Sequence, residues 1–575
     1  MKQALPYLFL FLISVIALRA LFASPFLPLI HDQVQAERVY ELSRSLSFGQ
    51  FPVRFVSDLG YGFGYPLFNY YAPFPYYLAG ILFLLGMDLI LATKLMIAFS
   101  FVFAGFSMYI FAKQFWGRTG AVLSALLYMI APYHGVQLYV RGSIGELFTY
   151  ALVPLICLGL SAFWQQKVYK TKVTLGLTAL ALLSFSHTVG FYMTILLISL
   201  YLCAGTLYLA GKKRGELSIW FKRNILFVIV SLALGAFFWL PALGELGYTQ
   251  LSVASGNNVN YRDHFVTVGQ LWNSPWGFAG SAPGVAKDGM SFMIGKISIV
   301  LALISIFAVR IHRKAIGVFT ALAMLSIFLM LGVSTFVWEI IPFMRITQFP
   351  WRYLLFLNVS LCFIAGGTIS IVKKFTLNRN SNIASLIIFF LVSVIGLFGL
   401  TLTDVAKTKY FEASGYYQYS SEKIKDPTHL RLSASRISDE YRPLGVRKAI
   451  TLEAISNETV SCLALCLVKD LKLEPTNYQF LVSMEKTAPV YIDKVYFPGF
   501  VATVDGEKKE IIRGPDNMLG VSVDGGKHSV EFKLQNTPLR NIGNTISLLS
   551  LICIILYPFR SKIWNLRPKQ KLLKI

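Results

Sequence analysis

The stretch Ala4–Ala23, ALPYLFLFLISVIALRALFA, decides the fold, because it holds twenty residues of which only Arg19 is charged. A bilayer core about 30 Å thick is crossed by a helix of about 20 apolar residues. The stretch therefore predicts a transmembrane helix near the start of the chain. We interpret it as an uncleaved signal-anchor. A cleaved signal peptide is the alternative, although the residues before Ala23 fit a cleavage site poorly.

Eleven further apolar runs follow along the chain. They are Asp88–Ala112, Thr119–Tyr133, Gly145–Trp164, Val173–Ser186, Val189–Ala210, Asn224–Leu243, Ser291–Val309, Ala315–Gly332, Tyr353–Val372, Ile383–Thr403 and Ile542–Pro558. The composition agrees, since 55% of the 575 residues are hydrophobic and 14% are charged, too few charges to cover a soluble protein. It also excludes disordered, collagen-like and disulfide-rich proteins. We predict a polytopic α-helical membrane protein with about twelve transmembrane helices.

The run Pro75–Met87 has 13 residues, about 20 Å as a helix, and whether it spans the membrane decides the side of every later loop. If it lies at the outer interface, the inner segments carry 23 Lys and Arg, whereas the outer loops 24–74, 134–144, 244–290 and 333–352 carry eight. If it spans, 22 of the 23 fall outside, against the positive-inside rule. We therefore predict an interfacial helix in a protein of the cytoplasmic membrane, with both termini in the cytoplasm. The net charge of +24 then reflects cytoplasmic loops, and no nucleic-acid partner is expected.

Three parts of the chain are predicted from this topology. Residues 1–403 form the membrane domain, with the outer loop 24–87, and residues 542–575 form a final helix with a basic cytoplasmic tail. Residues 404–541 between them lie outside the membrane. From about residue 470 their apolar and polar residues alternate, and Asp-Gly pairs supply turns, which predicts an antiparallel β-sandwich over residues 470–536.

Two of the six cysteines, Cys462 and Cys466, fall in that outer segment and therefore in an oxidising compartment. At a spacing of four residues, they could reach each other only on a helical or sharply bent segment. We therefore expect unpaired thiols.

Charged side chains gather on the predicted outer face. They are His31, Asp32, Arg141, Glu146, His187, Arg262, Arg345 and Arg352. A carboxylate at a helix exit beside His or Arg is placed for acid–base chemistry, which favours Asp32 and Glu146. Guanidinium groups at this depth suit the phosphate of a lipid head group. The competing interpretation is that these are ordinary solvated charges and structural histidines.

Two arrangements on this face are specific enough to test. We predict that Asp32, Glu146, Arg141 and Arg352 converge on one outward-facing cavity, because charges facing lipid are costly and a shared polar cavity lets them pair. Residues 61–77 also hold nine aromatics, including Tyr70 and Tyr71. They form either an interfacial belt or a platform on which sugar rings or a lipid could lie.

Several function classes lose support from missing motifs. The predicted membrane helices carry no acidic residue near their midplane, which disfavours an ion-coupled transporter. The sequence contains no Walker A or HExxH motif. The glycines at 60, 62 and 64 do not form a GxGxxG motif, so they do not indicate nucleotide binding.

Several stretches resemble the YfhO-like bacterial integral membrane proteins and their PTPS-related relatives. They are His31-Asp32 with Arg38, GYGFGYPLFNYYAP at 60–73, YVRGSIGE at 139–146, WLPAL at 239–243 with Glu245, QFPWR at 348–352, FPGFVATVDG at 497–506 and GKHSVEF at 526–532. The last two resemble the family's C-terminal β-domain. The family is in turn similar to GT-C glycosyltransferases, which have an acidic residue just after the first transmembrane helix and interfacial helices in the first outer loop. Asp32 and Pro75–Met87 match those places.

The resemblance implies an inverting transfer of a sugar from a polyprenyl-phosphate-linked donor to a cell-envelope glycan or polymer. A lipid-linked donor is also expected because nucleotide sugars are cytoplasmic, and the predicted topology leaves no cytoplasmic domain to bind one. Asp32 would be the general base, with His31 and Glu146 beside it in catalysis. The residues expected to bind lipid phosphate or substrate are Arg141, Arg345, Arg352, His187, Arg262, Tyr70 and Tyr71.

No cofactor is predicted, and no metal ligand is assigned. Many GT-C enzymes carry Asp-Asp or Asp-Glu where this chain has His31-Asp32, so a divalent metal lacks the support of a paired acidic motif. Two other classes stay open for the chain. One is a transporter or flippase for a lipid-linked glycan, and the other is a non-catalytic membrane protein that binds envelope glycan.

Overall fold

The structure is a computed structural model that describes residues 4–25, 27, 32–164, 170–250, 260–274, 276, 280–284, 288–341, 343–371, 420–449 and 451–556. The helices, in chain order, are α1 (Leu5–Phe22), α2 (Gln35–Ser47), α3 (Leu67–Tyr70), α4 (Phe74–Leu84), α5 (Leu89–Met129), α6 (Pro132–Val136), α7 (Ile144–Ala162), α8 (Lys170–Ser184), α9 (Thr188–Lys212), α10 (Arg214–Leu234), α11 (Ala236–Gly244), α12 (Val268–Trp272), α13 (Lys296–Ala308), α14 (Arg313–Met330), α15 (Thr335–Ile340), α16 (Leu354–Ala365), α17 (Ser421–Lys425), α18 (Ser435–Ile437) and α19 (Pro538–Leu556). Nine strands, given below, lie between α18 and α19.

Eight helical segments in the described residues are long and apolar enough to cross a membrane. They are α1, α5, α7, α9, α10, α14, the segment Pro350–Ile371 and α19. The predicted polytopic helical membrane fold is confirmed. The count of twelve helices stays a prediction, because the run Ile383–Thr403 lies outside the described residues.

Helix α5 joins two of the predicted runs. Its 41 residues are interrupted at Gly117, whose φ of 67° and ψ of −169° are not helical. A residue with a Cβ rarely adopts a positive φ, so a glycine at this position permits the break. The helix begins at Leu89 because the Asp88 side chain accepts hydrogen bonds from the backbone N–H groups of Ile90 and Leu91, at 2.9 and 3.0 Å.

The short apolar run after residue 74 forms α4. With 11 residues, α4 is about 16 Å long, which is too short to cross a bilayer core of about 30 Å. It packs against α2 and α5. Its length agrees with the predicted interfacial helix, while the side of the membrane on which it lies stays a prediction.

The polar face of helix α2 is buried. Glu37, Arg38 and Glu41 lie on it, and all three are buried. Residues 420–449 cover that face. His429 Nε2 lies 2.8 Å from Glu37 Oε1, and Arg38 Nη2 donates to Ser438 Oγ at 2.9 Å. The polar face is thus the contact surface for a distant part of the chain.

The C-terminal strands form two antiparallel sheets. The strands are β1 (Val460–Cys462), β2 (Cys466–Glu474), β3 (Asn477–Met484), β4 (Ala488–Val495), β5 (Phe500–Val504), β6 (Glu507–Lys509), β7 (Ile512–Arg513), β8 (Met518–Val523) and β9 (Gly526–Leu534). The sheet orders are β1-β4-β8-β7 and β2-β3-β9-β5-β6. Val490 and Val521 of the first sheet share one core with Phe480 and Phe532 of the second. The predicted β-domain is confirmed, and its strands begin at Val460, ahead of residue 470.

The prediction of unpaired thiols is wrong, because Cys462 and Cys466 form a disulfide with their Cα atoms 6.3 Å apart. Cys462 ends β1 and Cys466 begins β2, and these strands belong to different sheets. The three residues between them therefore turn the chain from one sheet to the other. This is the sharply bent geometry that the short spacing requires.

The glycine-rich stretch 60–64 is where the β-domain contacts the first loop. The backbone N–H of Val495 donates to Phe63 O at 2.8 Å, and Lys494 Nζ donates to Gly62 O at 2.7 Å. A Cβ at Gly64, where φ is +98°, would lie 2.4 Å from the Phe55 ring. The glycines thus serve tight turns and close packing against the β-domain.

Candidate functional site

Loops from several helices meet at one end of the bundle. The backbone N–H of Asp32 donates to Arg141 O at 2.9 Å, which joins the segment after α1 to the segment between α6 and α7. Arg141 ends a single π-helical turn, Gln137–Arg141, and Gly142 follows with a φ of 61°. Such turns often occur at functional sites. Asp32 is half-buried, and His31 lies outside the described residues.

Glu146, in the first turn of α7, is the centre of this cluster and is 2% exposed. Its Oε1 accepts from Arg141 Nη1 and, at 3.0 Å, from Arg352 Nε. Its Oε2 accepts from the Tyr133 hydroxyl at 2.7 Å. One carboxylate thus holds two guanidinium groups from different parts of the chain.

The segment before α16 orients the second guanidinium group. Arg352 Nη1 donates to Thr347 O at 2.8 Å and to Gln348 Oε1 at 2.9 Å. Trp351 packs against the first guanidinium group, with Arg141 Cζ 4.7 Å from the ring centroid. A cation over an indole face is attracted by the ring quadrupole. Both guanidinium groups therefore have fixed directions.

Two guanidinium groups lie around the Glu146 carboxylate, and the Asp32 carboxylate is close enough to act on Arg141 as well. Burial lowers the pKa of Arg141, but the carboxylates of Glu146 and Asp32 outweigh it, and the net pKa is raised. Arg141 therefore stays charged, and an anion with two or more oxygens would suit the pair.

His187 lies at the edge of this cluster as the N-cap of α9. Its Nδ1 accepts from the backbone N–H of Gly190 at 3.1 Å and lies 3.0 Å from Thr149 Oγ1. A Cβ at Gly145 would lie 2.6 Å from its ring, so glycine lets α7 approach closely. Burial lowers the pKa of His187 to about 3, and the ring is neutral.

Four of the expected binding residues do not join the cluster. Arg345 is exposed, and Arg262 is exposed and pairs with Glu339 at 2.6 Å. Tyr70 is 3% exposed and donates its hydroxyl to Glu245 O at 2.5 Å, so its ring offers no free face for a sugar. Tyr71 packs under Arg38, whose Cζ lies 4.1 Å from the ring centroid. The aromatics of 61–77 are largely internal, because the β-domain and residues 420–449 cover the first loop.

A separate cavity of about 280 Å³ lies beside the cluster. Its lining includes His264, Asp288 and Phe292. The His264 ring lies 4.9 Å from Phe349, which stacks on Trp351 at 4.8 Å, so one aromatic layer separates the cavity from the two guanidinium groups. Among the described residues, no group of three or more His, Cys, Asp or Glu side chains is placed to hold a metal ion.

Sequence reasoning missed several residues of the site. Tyr133 and Trp351 carry no sequence signal beyond the stretches in which they lie.

The fold and the charged cluster define a polytopic membrane protein with a polar site where its loops meet at one end of the helix bundle. The chain belongs to the family of membrane proteins described as 6-pyruvoyl-tetrahydropterin synthase related, whose model matches residues 68–406. This confirms the predicted PTPS-related membership. No curated protein matches the chain.

Three solved structures illustrate what the chain is similar to. The apo oligosaccharyltransferase of Archaeoglobus fulgidus has a TM-score of 0.40 and 14% identity, over 70% of this chain and 55% of that one. The same organism's AglB, in complex with an inhibitory peptide and a dolichol-phosphate, has a TM-score of 0.38 and 13% identity, over 70% of this chain and 56% of that one. ArnT from Cupriavidus metallidurans, bound to undecaprenyl phosphate, has a TM-score of 0.36 and 13% identity, over 76% of this chain and 77% of that one. This chain spans about half the length of the oligosaccharyltransferase.

Proposed function

We propose that this protein is a membrane glycosyltransferase. It transfers a sugar from a polyprenyl-phosphate-linked donor to a cell-envelope glycan or polymer at the outer face of the cytoplasmic membrane. The observation that supports the proposal is the pair of guanidinium groups, Arg141 and Arg352, held in fixed directions by Glu146, with the Asp32 backbone hydrogen-bonded to the Arg141 carbonyl. A proton acceptor next to an anion site is what transfer from a phosphate-linked donor needs.

We assign each of these residues a role in the transfer. Asp32 takes the proton of the acceptor hydroxyl as its oxygen attacks the anomeric carbon. The bond from that carbon to the phosphate oxygen breaks on the opposite face, so the configuration inverts and polyprenyl phosphate leaves with the electron pair. Arg141 and Arg352 stabilise the charge that grows on the phosphate. Glu146 is already held by both of them, so it positions the guanidinium groups rather than taking the proton.

The proposal is tested by glycan analysis of the cell envelope in a deletion strain. Complementation with the wild-type gene should restore the missing sugar, and complementation with Asp32→Asn should not. Asp470→Asn is the matched control, since Asp470 is exposed on the β-domain and should restore the wild-type pattern. Restoration by Asp32→Asn would favour a flippase or a glycan-binding protein, because neither needs a general base.

A further inference from the structure

The walls of the cavity beside the cluster are tied together by hydrogen bonds. The Thr267 hydroxyl caps α12 by accepting from the backbone N–H of Gln270 at 3.2 Å. Gln270 donates its side-chain amide to Asp288 Oδ2 at 2.7 Å, and Asp288 Oδ1 accepts from the backbone N–H of Ala282 at 3.2 Å. The loop segments that carry Ala282 and Asp288 are thus bound to α12, and the cavity has a fixed shape.

His264 and Asp263 supply polar groups that are open to a ligand. His264 Nδ1 lies 2.7 Å from Ser281 Oγ, and the ring packs edge-on against Phe349. Neither the other ring nitrogen, Nε2, nor the Asp263 carboxylate has a hydrogen-bond partner among the described residues. Burial lowers the pKa of His264, so the ring is neutral near pH 7 and brings no positive charge to the cavity.

The charges of the lining disfavour an anion. Asp263 and Asp288 are its two carboxylates among the described residues. Arg262 also lines the cavity, but its guanidinium group pairs with Glu339 at 2.6 Å. The cavity therefore offers mainly hydrogen-bond acceptors, in contrast to the guanidinium cluster, and it suits a ligand that is rich in donors.

The lining also has an apolar part, to which Phe265, Val266 and Phe292 belong. A small cation would need the carboxylates alone, whereas a sugar ring uses both parts, because its hydroxyl groups donate hydrogen bonds and its C–H faces pack on apolar side chains. The volume of about 280 Å³ lies at the lower end of the range for small-molecule sites, about 300–1,000 Å³. One ring suits this volume better than a longer chain.

The cavity adjoins the guanidinium cluster through aromatic side chains. The Phe292 ring lies 6.0 Å from the Trp351 ring, and Phe349, against which His264 packs, stacks on Trp351 at 4.8 Å. Trp351 in turn lies 4.7 Å from Arg141 Cζ. A sugar in the cavity would thus be next to the place where the phosphate is proposed to leave.

We propose that this cavity binds one sugar unit of the acceptor glycan, with Asp263 and His264 hydrogen-bonded to its hydroxyl groups and Phe265 against a C–H face. The binding of a sugar stands on the cavity itself, and only the identification of that sugar as the acceptor rests on the proposed function.

The test is the protection of a cysteine placed in the lining, Ala282→Cys, in the purified full-length protein. Ala282 bonds to Asp288 through its backbone, so the substitution keeps that bond. Alkylation by iodoacetamide is followed by peptide mass spectrometry with methyl β-D-glucoside, with methyl N-acetyl-β-D-glucosaminide and with oligosaccharides released from the envelope polymer. At least one of them should slow alkylation about fivefold or more, because a bound ligand in such a cavity excludes the reagent. Lys508→Cys, exposed on β6, is the control and should react at the same rate throughout.

A second substitution tests the role of the carboxylate. Asp263→Asn, added to Ala282→Cys, should raise the sugar concentration that gives half-protection by about fivefold, because a hydrogen bond to a charged acceptor is replaced by one to a neutral acceptor. Asp470→Asn, on the exposed surface of the β-domain, is the matched control and should leave that concentration unchanged. An equal effect of the two substitutions would count against Asp263 as a ligand-binding residue.

Absence of protection by all three probes would overturn the proposal, and so would protection by methylammonium but by none of the sugars, which would show a cation site. If Ala282→Cys does not fold, Ser281→Cys carries the same measurement. Failure of the proposed function looks different: the sugars would protect the cysteine, in Asp32→Asn as well, while the wild-type protein transfers no sugar. The cavity would then remain a sugar site, and its role as the acceptor site would be wrong.

Discussion

Replacing Glu146 by glutamine should destabilise the protein strongly. The substitution keeps the shape of the side chain but removes the charge that holds Arg141 and Arg352, whose side chains are 7% and 9% exposed. Removing one partner of a buried ion pair costs about 3–5 kcal/mol. We expect the lower end, about 3 kcal/mol, because the glutamine oxygen can still accept one hydrogen bond.

Thermal unfolding of the purified protein in one detergent measures this effect. The unfolding entropy, about 2.1 cal/mol/K per residue, amounts to about 1.2 kcal/mol/K over the 575 residues, so a loss of about 3 kcal/mol should lower Tm by about 2–3 °C. Glu216→Gln is the matched control, since Glu216 forms an exposed pair with Lys213 at 3.0 Å, and such pairs contribute about 0–1 kcal/mol. The double variant Glu146→Gln with Arg352→Gln should lose less than the sum of the single losses, because the two residues are in contact. A Tm for Glu146→Gln within about 1 °C of the control would refute the conclusion that Glu146 holds both guanidinium groups in buried ion pairs.

Two further predictions concern pH and topology. Burial and the nearby Asp58 carboxylate raise the pKa of Glu41 to about 8 from 4.5, so the folded protein binds a proton that the unfolded chain releases. Wild-type Tm should therefore fall as pH rises from about 4.5 to about 8. In Glu41→Gln the dependence of Tm on pH over this range should be weaker. An equal dependence in both proteins would contradict the raised pKa of Glu41. Cysteine introduced at Arg262 should react with an impermeant thiol reagent in intact cells, whereas cysteine at Lys213 should react only after permeabilisation. Labelling of Lys213→Cys from outside would show that the predicted topology is inverted.

The membrane helices were predictable because a helix that crosses a bilayer must be a long apolar run. The runs around α7 and α14 can be recognised from their own residues, without knowing what they pack against. The shortness of α4 and the alternation in β3, β5 and β9 were likewise local signals. The convergence of Asp32, Arg141, Glu146 and Arg352 on one cavity was predicted from their common depth in the predicted topology and from the cost of unpaired charge near lipid. The structure joins the Glu146 carboxylate to both guanidinium groups and the Asp32 backbone to Arg141, while the shared outward-facing cavity stays a prediction.

The remaining features depended on contacts between distant parts of the chain. Tyr70 was predicted to lie in an interfacial aromatic belt or on a platform for sugar rings. It is buried because residues 420–449 dock against it. The polar face of α2 is buried because the same segment contacts it through His429 and Ser438. Cys462 and Cys466 pair because their strands belong to two different sheets.

Asp32 is the proposed general base in sugar transfer from a lipid-phosphate donor. This role is tested most directly by reconstituting the purified protein in liposomes with a radiolabelled polyprenyl-phosphate sugar and an extract of envelope polymer. The wild-type protein should move label into the polymer, and Asp32→Asn should reduce the rate at least 100-fold, the scale of a lost general base, while remaining folded by its unfolding curve. Transfer by Asp32→Asn at the wild-type rate would contradict the account.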